Sequence, residues 1–384
     1  MESIFLDYNG TTPIDPQVAE AMRPYIYEHF GNPSSSHMFG VGPKAALENA
    51  RNQVAAMLGC EADEILFTSG GTESNNHAIR GVVSALTHQG NHVITSAVEH
   101  PAVLEVCRYL EKHGTTVTYL PVDRFGMVDP AHVEDAITSK TVLISIMHAN
   151  NEVGTIQPIE RITEIAKRHQ VLVHTDCAQS VGKIPVNVDD LGIDLLSIAG
   201  HKIYAPKGIG ALYVRRGVQI DELMLGAGQE SGRRPGTENV IFSVALGEAC
   251  TMVNKDLRDY SNHMKAMRDW LETRILSAIP GAQINGHPDQ RLPNTSSFSF
   301  KGLKANEILD SLETVAASAG AACHSDSITI SSVLEAMRIP MEFAMGTVRF
   351  STGRYTTEEE IGKAADEVCR AVGRLARENV AMSS

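Results

Sequence analysis

Short apolar runs and amphipathic stretches alternate along most of this chain, and that rhythm narrows the folds open to it. Strand-like runs at Val93–Ala97, Val142–Met147, Val171–Thr175, Ile193–Ile198 and Ala211–Val214 alternate with helical patterns over 102–113, 160–169 and 238–254. Strands that are apolar on both faces belong in sheets covered on both sides, so the pattern predicts an α/β fold with a largely parallel sheet between helices. Beyond the long helical stretch 238–278 the strands shorten, at Ser296–Phe300, Ala316–Ala319 and Val348–Ser351, before a final helix over 357–377. That change predicts a second, smaller α+β domain. A chain of 384 residues, 43% of them hydrophobic, can bury cores of this size.

Ligands of such sheets sit beyond the carboxyl ends of the strands, and the chemistry-bearing residues of this chain follow strand-like runs. Val171-Leu172-Val173-His174-Thr175 ends in Asp176, with Gln179 just after it, and the run Ile193–Ile198 leads into Gly200-His201-Lys202. Pyridoxal phosphate needs an amine for a Schiff base and a carboxylate to keep its pyridine nitrogen protonated, so that the ring can accept electrons. Lys202 suits the first role and Asp176 the second. Taken alone, the same pair also suits a turn-capping aspartate and a solvated loop lysine. A third segment bears on the choice. Thr68-Ser69-Gly70-Gly71-Thr72-Glu73-Ser74 follows the strand Ile65-Leu66-Phe67 and opens a helical pattern through Ala78, Ile79, Val82 and Val83. Small residues and a hydroxyl at a helix start can cradle a phosphate, although they also make an ordinary N-cap. The segment is neither a Walker loop nor a dinucleotide fingerprint.

Across almost its whole length the chain resembles the cysteine desulfurases of the nitrogen-fixation and iron–sulfur-cluster type, within the class V aminotransferases. The likeness rests on many short motifs in one order. In the first half these are Leu6-Asp7-Tyr8-Asn9-Gly10-Thr11-Thr12-Pro13, Gly31-Asn32-Pro33-Ser34-Ser35, Ser69–Asn75, Glu99-His100-Pro101, Asn150–Gly154 and Asp176–Gln179. Gly200-His201-Lys202, Arg234–Asn239, Gly320–Cys323 and Ser351-Thr352-Gly353-Arg354 follow. The resemblance implies a fold-type-I pyridoxal phosphate enzyme with a mainly parallel seven-stranded sheet. It places a large cofactor domain at 15–255 and a small domain at 1–14 and 256–384 carrying the catalytic cysteine. It also implies roles. Lys202 holds the cofactor and moves protons, Asp176 pairs with the pyridine nitrogen, and Gln179 and Asn151 reach the ring oxygen or neighbouring groups. His100 stacks on the ring and serves as acid or base. Gly71, Thr72 and His201 surround the phosphate, joined by Thr237 from the neighbouring subunit of a homodimer. Arg354 takes the substrate α-carboxylate together with Asn151. Cys323 attacks the substrate sulfur, giving L-alanine and a Cys323 persulfide for a sulfur-acceptor or iron–sulfur scaffold protein.

Gly320-Ala321-Ala322 and Ser325-Asp326-Ser327 around Cys323 offer neither bulk nor an apolar anchor, which predicts an accessible loop. Cys107, Cys250 and Cys369 lie in apolar helical stretches and are expected in the core, whereas Cys177 adjoins Asp176 and is a second thiol to watch. Ala199 stands where the family carries a serine, removing one phosphate hydrogen bond. The flank Cys323-His324-Ser325-Asp326 looks more like selenocysteine lyases, while the interval from Cys323 to Val333 matches the longer loop of the desulfurases. L-selenocysteine is therefore the alternative substrate, and a class V aminotransferase that ignores Cys323 or a non-catalytic sulfur-relay partner are the alternative functions. A net charge of −13 argues against nucleic-acid binding. The longest apolar runs fall short of a membrane span, and no metal site is expected. Six cysteines without C-x-x-C spacing read as reduced thiols, so the expected location is cytoplasmic.

Overall fold

The computed structural model describes residues 3–324 and 327–383, with side chains over 3–320 and 330–379. Strand β1 (Ile4–Phe5) and helices α1 (Pro16–Tyr27) and α2 (Met38–Leu58) lead into seven strands that form one sheet. These are β2 (Ile65–Thr68), β3 (His92–Ser96), β4 (Thr116–Leu120), β5 (Thr141–Ser145), β6 (Leu172–Asp176), β7 (Leu195–Ala199) and β8 (Gly210–Val214), in the order β2-β8-β7-β6-β5-β3-β4. The connecting helices are α3 (Gly71–Ala85), α4 (Pro101–Glu111), α5 (Pro130–Ala136), α6 (Ile159–Arg168) and α7 (Val188–Leu191). Strands β7, β6, β5, β3 and β4 run parallel, and β8 is antiparallel to both of its neighbours. The reversal has a simple cause. Only residues 200–209 link β7 to β8, and a parallel return needs a crossover of a dozen or more residues.

Successive residues of each strand feed opposite faces. Leu66, Leu143, Leu195 and Leu212 pack under Ile79 and Val82 of α3 and Val103 and Val106 of α4. Their neighbours Ile65, Ile144, Leu196 and Tyr213 join the other core with Val18 of α1, Leu47 and Val54 of α2 and Ile162 of α6. The edge strand β4 is half-exposed.

The remaining strands are β9 (Gln283–Asn285), β10 (Thr295–Ser299), β11 (Val315–Ala316), β12 (Ser318–Ala319), β13 (Ala321–His324), β14 (Ser327–Ile330) and β15 (Thr347–Ser351). They are accompanied by the short helices α9 (Ala305–Asp310), α10 (Ser332–Ala336) and α11 (Met341–Ala344). An antiparallel sheet runs β12-β15-β10-β9. The expected run 316–319 is divided at Ala317: β11 pairs in parallel with β1, while β12 joins β15. Ile4 and Leu6 thereby pack with Phe298, Phe300, Val348 and Phe350. The expected open loop at Cys323 is instead a hairpin strand, with Cys323 opposite Ile328; the Cys323 and His324 side chains, and Ser325 and Asp326 entirely, lie outside the described residues.

One 39-residue helix, α8 (Val240–Ala278), spans both cores. Its Leu246 and Val253 lie in the large core and its Met267, Leu271 and Ile275 in the small one, which the C-terminal helix α12 (Glu358–Ser383) closes. The expected division at 255/256 falls inside this continuous helix. Among the described residues no helix is long and apolar enough to cross a membrane.

Leu271 is fully enclosed between α8 and the small sheet. Leu271→Ala is expected to lower unfolding stability by about 2–5 kcal/mol, read as a fall in the urea midpoint. An unchanged midpoint would mean that α8 does not anchor this core.

Candidate active site

A cavity of about 400 Å³ opens beyond the carboxyl ends of β6 and β7, lined by Gly71, Thr72, His100, Asn151, Asp176, Gln179, His201 and Lys202 among others. Eight of the expected site residues thus meet in one place, each delivered by a segment that follows a strand. Strand β6 ends at Asp176. The carboxylate then accepts the Ala178 backbone N–H at 2.9 Å and the Asn75 side-chain amide at 2.6 Å. Strand β7 ends at Ala199, and a single turn, Gly200–Lys202, carries Lys202 into the cavity.

The Lys202 ammonium donates to the backbone carbonyls of Asn9 and Gly10, the latter at 2.7 Å. Burial and the Arg349 guanidinium push its pKa down to about 8, against the pull of Asp7 and Asp176. A substantial share of neutral amine near pH 8 is what condensation with an aldehyde requires. His100 caps α4: its Nδ1 accepts the Ala102 N–H at 3.1 Å, which leaves Nε2 to carry the proton of the neutral ring. Burial lowers the His100 pKa, Asp176 raises it and Lys202 lowers it. His201 Nδ1 meets Thr11 Oγ1 at 3.2 Å, and burial with Lys202 and Lys207 pulls its pKa to about 4.

Helix α3 begins at Gly71, preceded by Gly70 at φ 150°, a conformation that favours glycine. Gly71 and Thr72 offer first-turn amides whose dipoles favour an anion. A Cβ on Gly71 would come within 3.2 Å of the Ala199 side chain, so the close approach of these two segments depends on both being small.

Two expected residues, Arg354 and Thr237, do not line this cavity. Arg354 lies in a buried ion pair. Its guanidinium lies 2.6 Å from the Asp15 carboxylate, both side chains nearly inaccessible, and stacks 3.7 Å from the Tyr204 ring centre. It ties the end of β15 to the segment after Lys202 and does not line the cavity. Arg349 does, five residues earlier on β15, with contacts to Asp7 Oδ1 at 2.5 Å, Asn151 O at 2.9 Å and Ser318 Oγ at 3.0 Å. Its Nε has no hydrogen-bond partner among the described atoms. Sequence reasoning passed over Arg349 because the Gly353-Arg354 turn drew the assignment. Strand alternation, which places Arg349 on the opposite face from Val348 and Phe350, was the available signal. Thr237 lines a separate surface cleft with Ser69, Glu230 and Arg234. The Cys323 thiol lies outside the described side chains.

Asn9, Asn75 and Lys183 were also not anticipated. Asn75 orients Asp176, while Asn9 and Lys183 lie behind Gln179. Cys177 is fully buried beside His148, with Sγ 3.7 Å from Nδ1, and burial pushes its thiol up to about 12. It is an inert core thiol. Cys107 and Cys250 are likewise buried, whereas Cys369 is only partly so.

A buried amine of low pKa, a hydrogen-bonded carboxylate across the cavity and a glycine-opened helix N-terminus together fit pyridoxal phosphate. Residues 4–363 match the family described as aminotransferase class-V, and the chain belongs to that family. Its relatives include a cysteine desulfurase IscS of Dictyoglomus turgidum, 48% identical over 97% of this chain and 95% of the relative. Cysteine desulfurase 2 of Trichormus variabilis is 48% identical over 98% of this chain and 94% of its own. Among solved structures, a NifS-like protein superposes with a TM-score of 0.91 at 36% identity, covering 97% of this chain and 99% of that one.

The Lys202 environment sets a pH dependence. With apo protein, pyridoxal phosphate and borohydride trapping, adduct yield is expected to be half-maximal near pH 8. The Arg349 charge disfavours the ammonium form, so Arg349→Met is expected to move the midpoint to higher pH. A midpoint that stays in place or falls would show that Arg349 does not set the amine's proton affinity.

Proposed function

We propose that this chain is a pyridoxal-phosphate-dependent cysteine desulfurase that converts L-cysteine to L-alanine and leaves the sulfur as a persulfide on Cys323. The observation that carries this reading is the placement of the Lys202 amine and the Asp176 carboxylate in one cavity beside the N-terminus of α3. When bound, the cofactor supplies an electron sink for negative charge at the substrate carbons. Lys202 would hold it through Nζ and would move protons at the substrate carbons. Of the residues lining the cavity, Asp176 would hold the pyridine nitrogen, Gly71, Thr72 and His201 would hold the phosphate, and Asn151 and Gln179 would hold the ring oxygen. His100, which lines the cavity with Nε2 free to carry a proton, would pack against the ring and could exchange a proton with the substrate thiol. The α-carboxylate is assigned to a guanidinium near the end of β15, whose planar fork suits a bidentate partner: Arg354, paired with Asp15, or Arg349, which lines the cavity and is paired with Asp7.

The step at sulfur balances without an outside oxidant. The Cys323 thiolate forms an S–S bond to the substrate sulfur, the Cβ–S bond breaks, and its electron pair with one proton goes to Cβ. Cysteine and a thiol thus become alanine and a persulfide. The persulfide then passes to a sulfur-acceptor or iron–sulfur scaffold protein. Ile26, Tyr27, Phe30, Met38, Phe39 and Val41 are exposed along one stretch, and exposed apolar patches of this kind mark interfaces. This supports a homodimer. Its partner's site would receive Thr237, on a loop fixed by the buried Arg51–Glu230 pair at 2.7 Å and by left-handed backbone at Glu230 and Ser231.

Cys323→Ser is expected to retain the visible absorption of the bound cofactor and to bind cysteine, yet to yield neither persulfide nor alanine in catalytic amounts. Sulfide release from cysteine at the wild-type rate by this variant would remove Cys323 from the mechanism. The same assay run with L-selenocysteine compares the two substrates.

The crossing of Thr237 has its own test. Lys202→Ala is expected to be inactive because it removes the anchoring amine, and Thr237→Val to be weak because a hydrogen bond to a charged phosphate is worth roughly 1.5–3 kcal/mol. If the loop reaches the partner, a mixed dimer has one site with both lesions and one with neither. Activity then recovers toward half per dimer on mixing. Failure to recover, or a monomer by light scattering, would keep Thr237 within its own subunit.

A further inference from the structure

Four residues past Gln179, in the same turn beyond β6, Lys183 is wholly enclosed. Its Nζ lies 2.5 Å from Gln179 Oε1 and 3.1 Å from Asn9 Oδ1, both of them amide oxygens rather than carboxylates. The charges closest to it in effect are cations, Lys202 and Arg349, and with burial they hold its pKa well below the ordinary lysine value. A buried amine in such company is costly, and the steps assigned above make no use of it.

Its geometry gives it a task. The other end of the Gln179 amide donates from Nε2 to the Asn9 backbone carbonyl at 3.0 Å. A carbonyl can only accept, and an amine at the opposite end donates, so both neighbours select one orientation of the amide. Flipping it would set oxygen against oxygen at Asn9 and an NH2 against the Lys183 amine. In the selected orientation the second Nε2 hydrogen is the amide's remaining donor, and Gln179 lines the cofactor cavity.

We propose that Lys183 is a positioning residue of the cofactor site, fixing the Gln179 amide so that its NH2 rather than its oxygen faces the cofactor's ring oxygen. This rests on the cofactor assignment and on Gln179 lying toward that oxygen. A donor stabilises negative charge on the ring oxygen, so the proton shared between it and the Lys202 nitrogen is held less tightly. Without Lys183 only the Asn9 carbonyl orders the amide and Gln179 Oε1 loses its donor, so the amide's hold on the ring oxygen weakens and the proton is held more tightly.

The test is a pH titration of the visible absorption of holoenzyme, independent of turnover. Lys183→Met is expected to raise the midpoint by about one pH unit, a tenfold change in proton affinity. Gln179→Leu is expected to raise it as well, and the double variant to match Gln179→Leu alone. Thermal melting of the apo forms reads the packing contribution separately. Lys183→Gln, polar but one bond too short to reach Oε1, is expected to show the same rise and serves if the methionine variant fails to fold. A wild-type midpoint in either folded variant, with only the melting temperature lowered, would overturn the proposal. So would additive shifts in the double variant, or a folded variant that binds no cofactor. A wild-type protein without a visible cofactor band would instead overturn the cofactor assignment.

Discussion

The site depends on Asn9 more than on any residue that touches the reaction. Its backbone N–H donates to Ser351 Oγ at 2.9 Å and its side-chain amide to Thr295 Oγ1 at 2.8 Å and Asn151 O at 3.1 Å, so one residue joins both strands at the centre of the small sheet to the loop after β5. Its side-chain oxygen accepts from Asn294 and Lys183, and its carbonyl from Gln179 and Lys202. Nearly every polar atom of this enclosed residue is therefore spoken for, and a fully satisfied buried network fixes geometry more firmly than its separate bonds imply. The N-terminal segment, held by the β1–β11 pairing, acts as the wall against which Lys202 and Gln179 are set. Cofactor geometry is thereby tied to the seating of one domain on the other.

Much of this was legible in the chain. The β6 and β7 runs, mostly apolar and fully enclosed apart from Leu172, are strong signals, and the polar residues Asp176, Gln179 and Lys202 at or just past their ends call for another reason to be there. Helices α1 and α2 were not among the expected elements. Pro24 and Pro43 stand inside these helices, where each missing N–H removes a helical hydrogen bond and interrupts the pattern. Strand β4 was missed as well. Thr116-Val117-Thr118-Tyr119-Leu120 lies at the sheet edge and is half-exposed, so it lacks the continuous apolar run that marks its neighbours.

The different surroundings of Arg354 and Arg349 show where sequence reasoning stops. Both arginines fit the demand for a guanidinium near a strand end. What separates them is long-range: Asp15, 339 positions from Arg354, supplies a buried carboxylate, and Tyr204 a ring face. Tyr204 itself adopts a left-handed backbone, φ 68°, and its hydroxyl accepts the Arg354 N–H at 2.8 Å. A bulky residue in that conformation persists only where its surroundings over-determine it. The Asp15–Arg354–Tyr204 cluster thus acts as a brace two residues past Lys202.

The same accounting explains the charge of the cavity. Lys202, Lys183 and Arg349 converge on it, against Asp176 and Asp7, and the cations suppress one another's protonation. An ammonium held below its ordinary pKa favours the unfolded chain, which binds the proton more tightly. For Lys202, folding stability therefore rises with pH between about 8, its folded value, and its ordinary value of 10.5, and the contribution levels off below the lower limit. The folded state carries this burden so that the cavity is positive before anything enters it. An anionic phosphate and a substrate carboxylate each relieve the repulsion on arrival, and their binding draws on free energy that folding has already set aside.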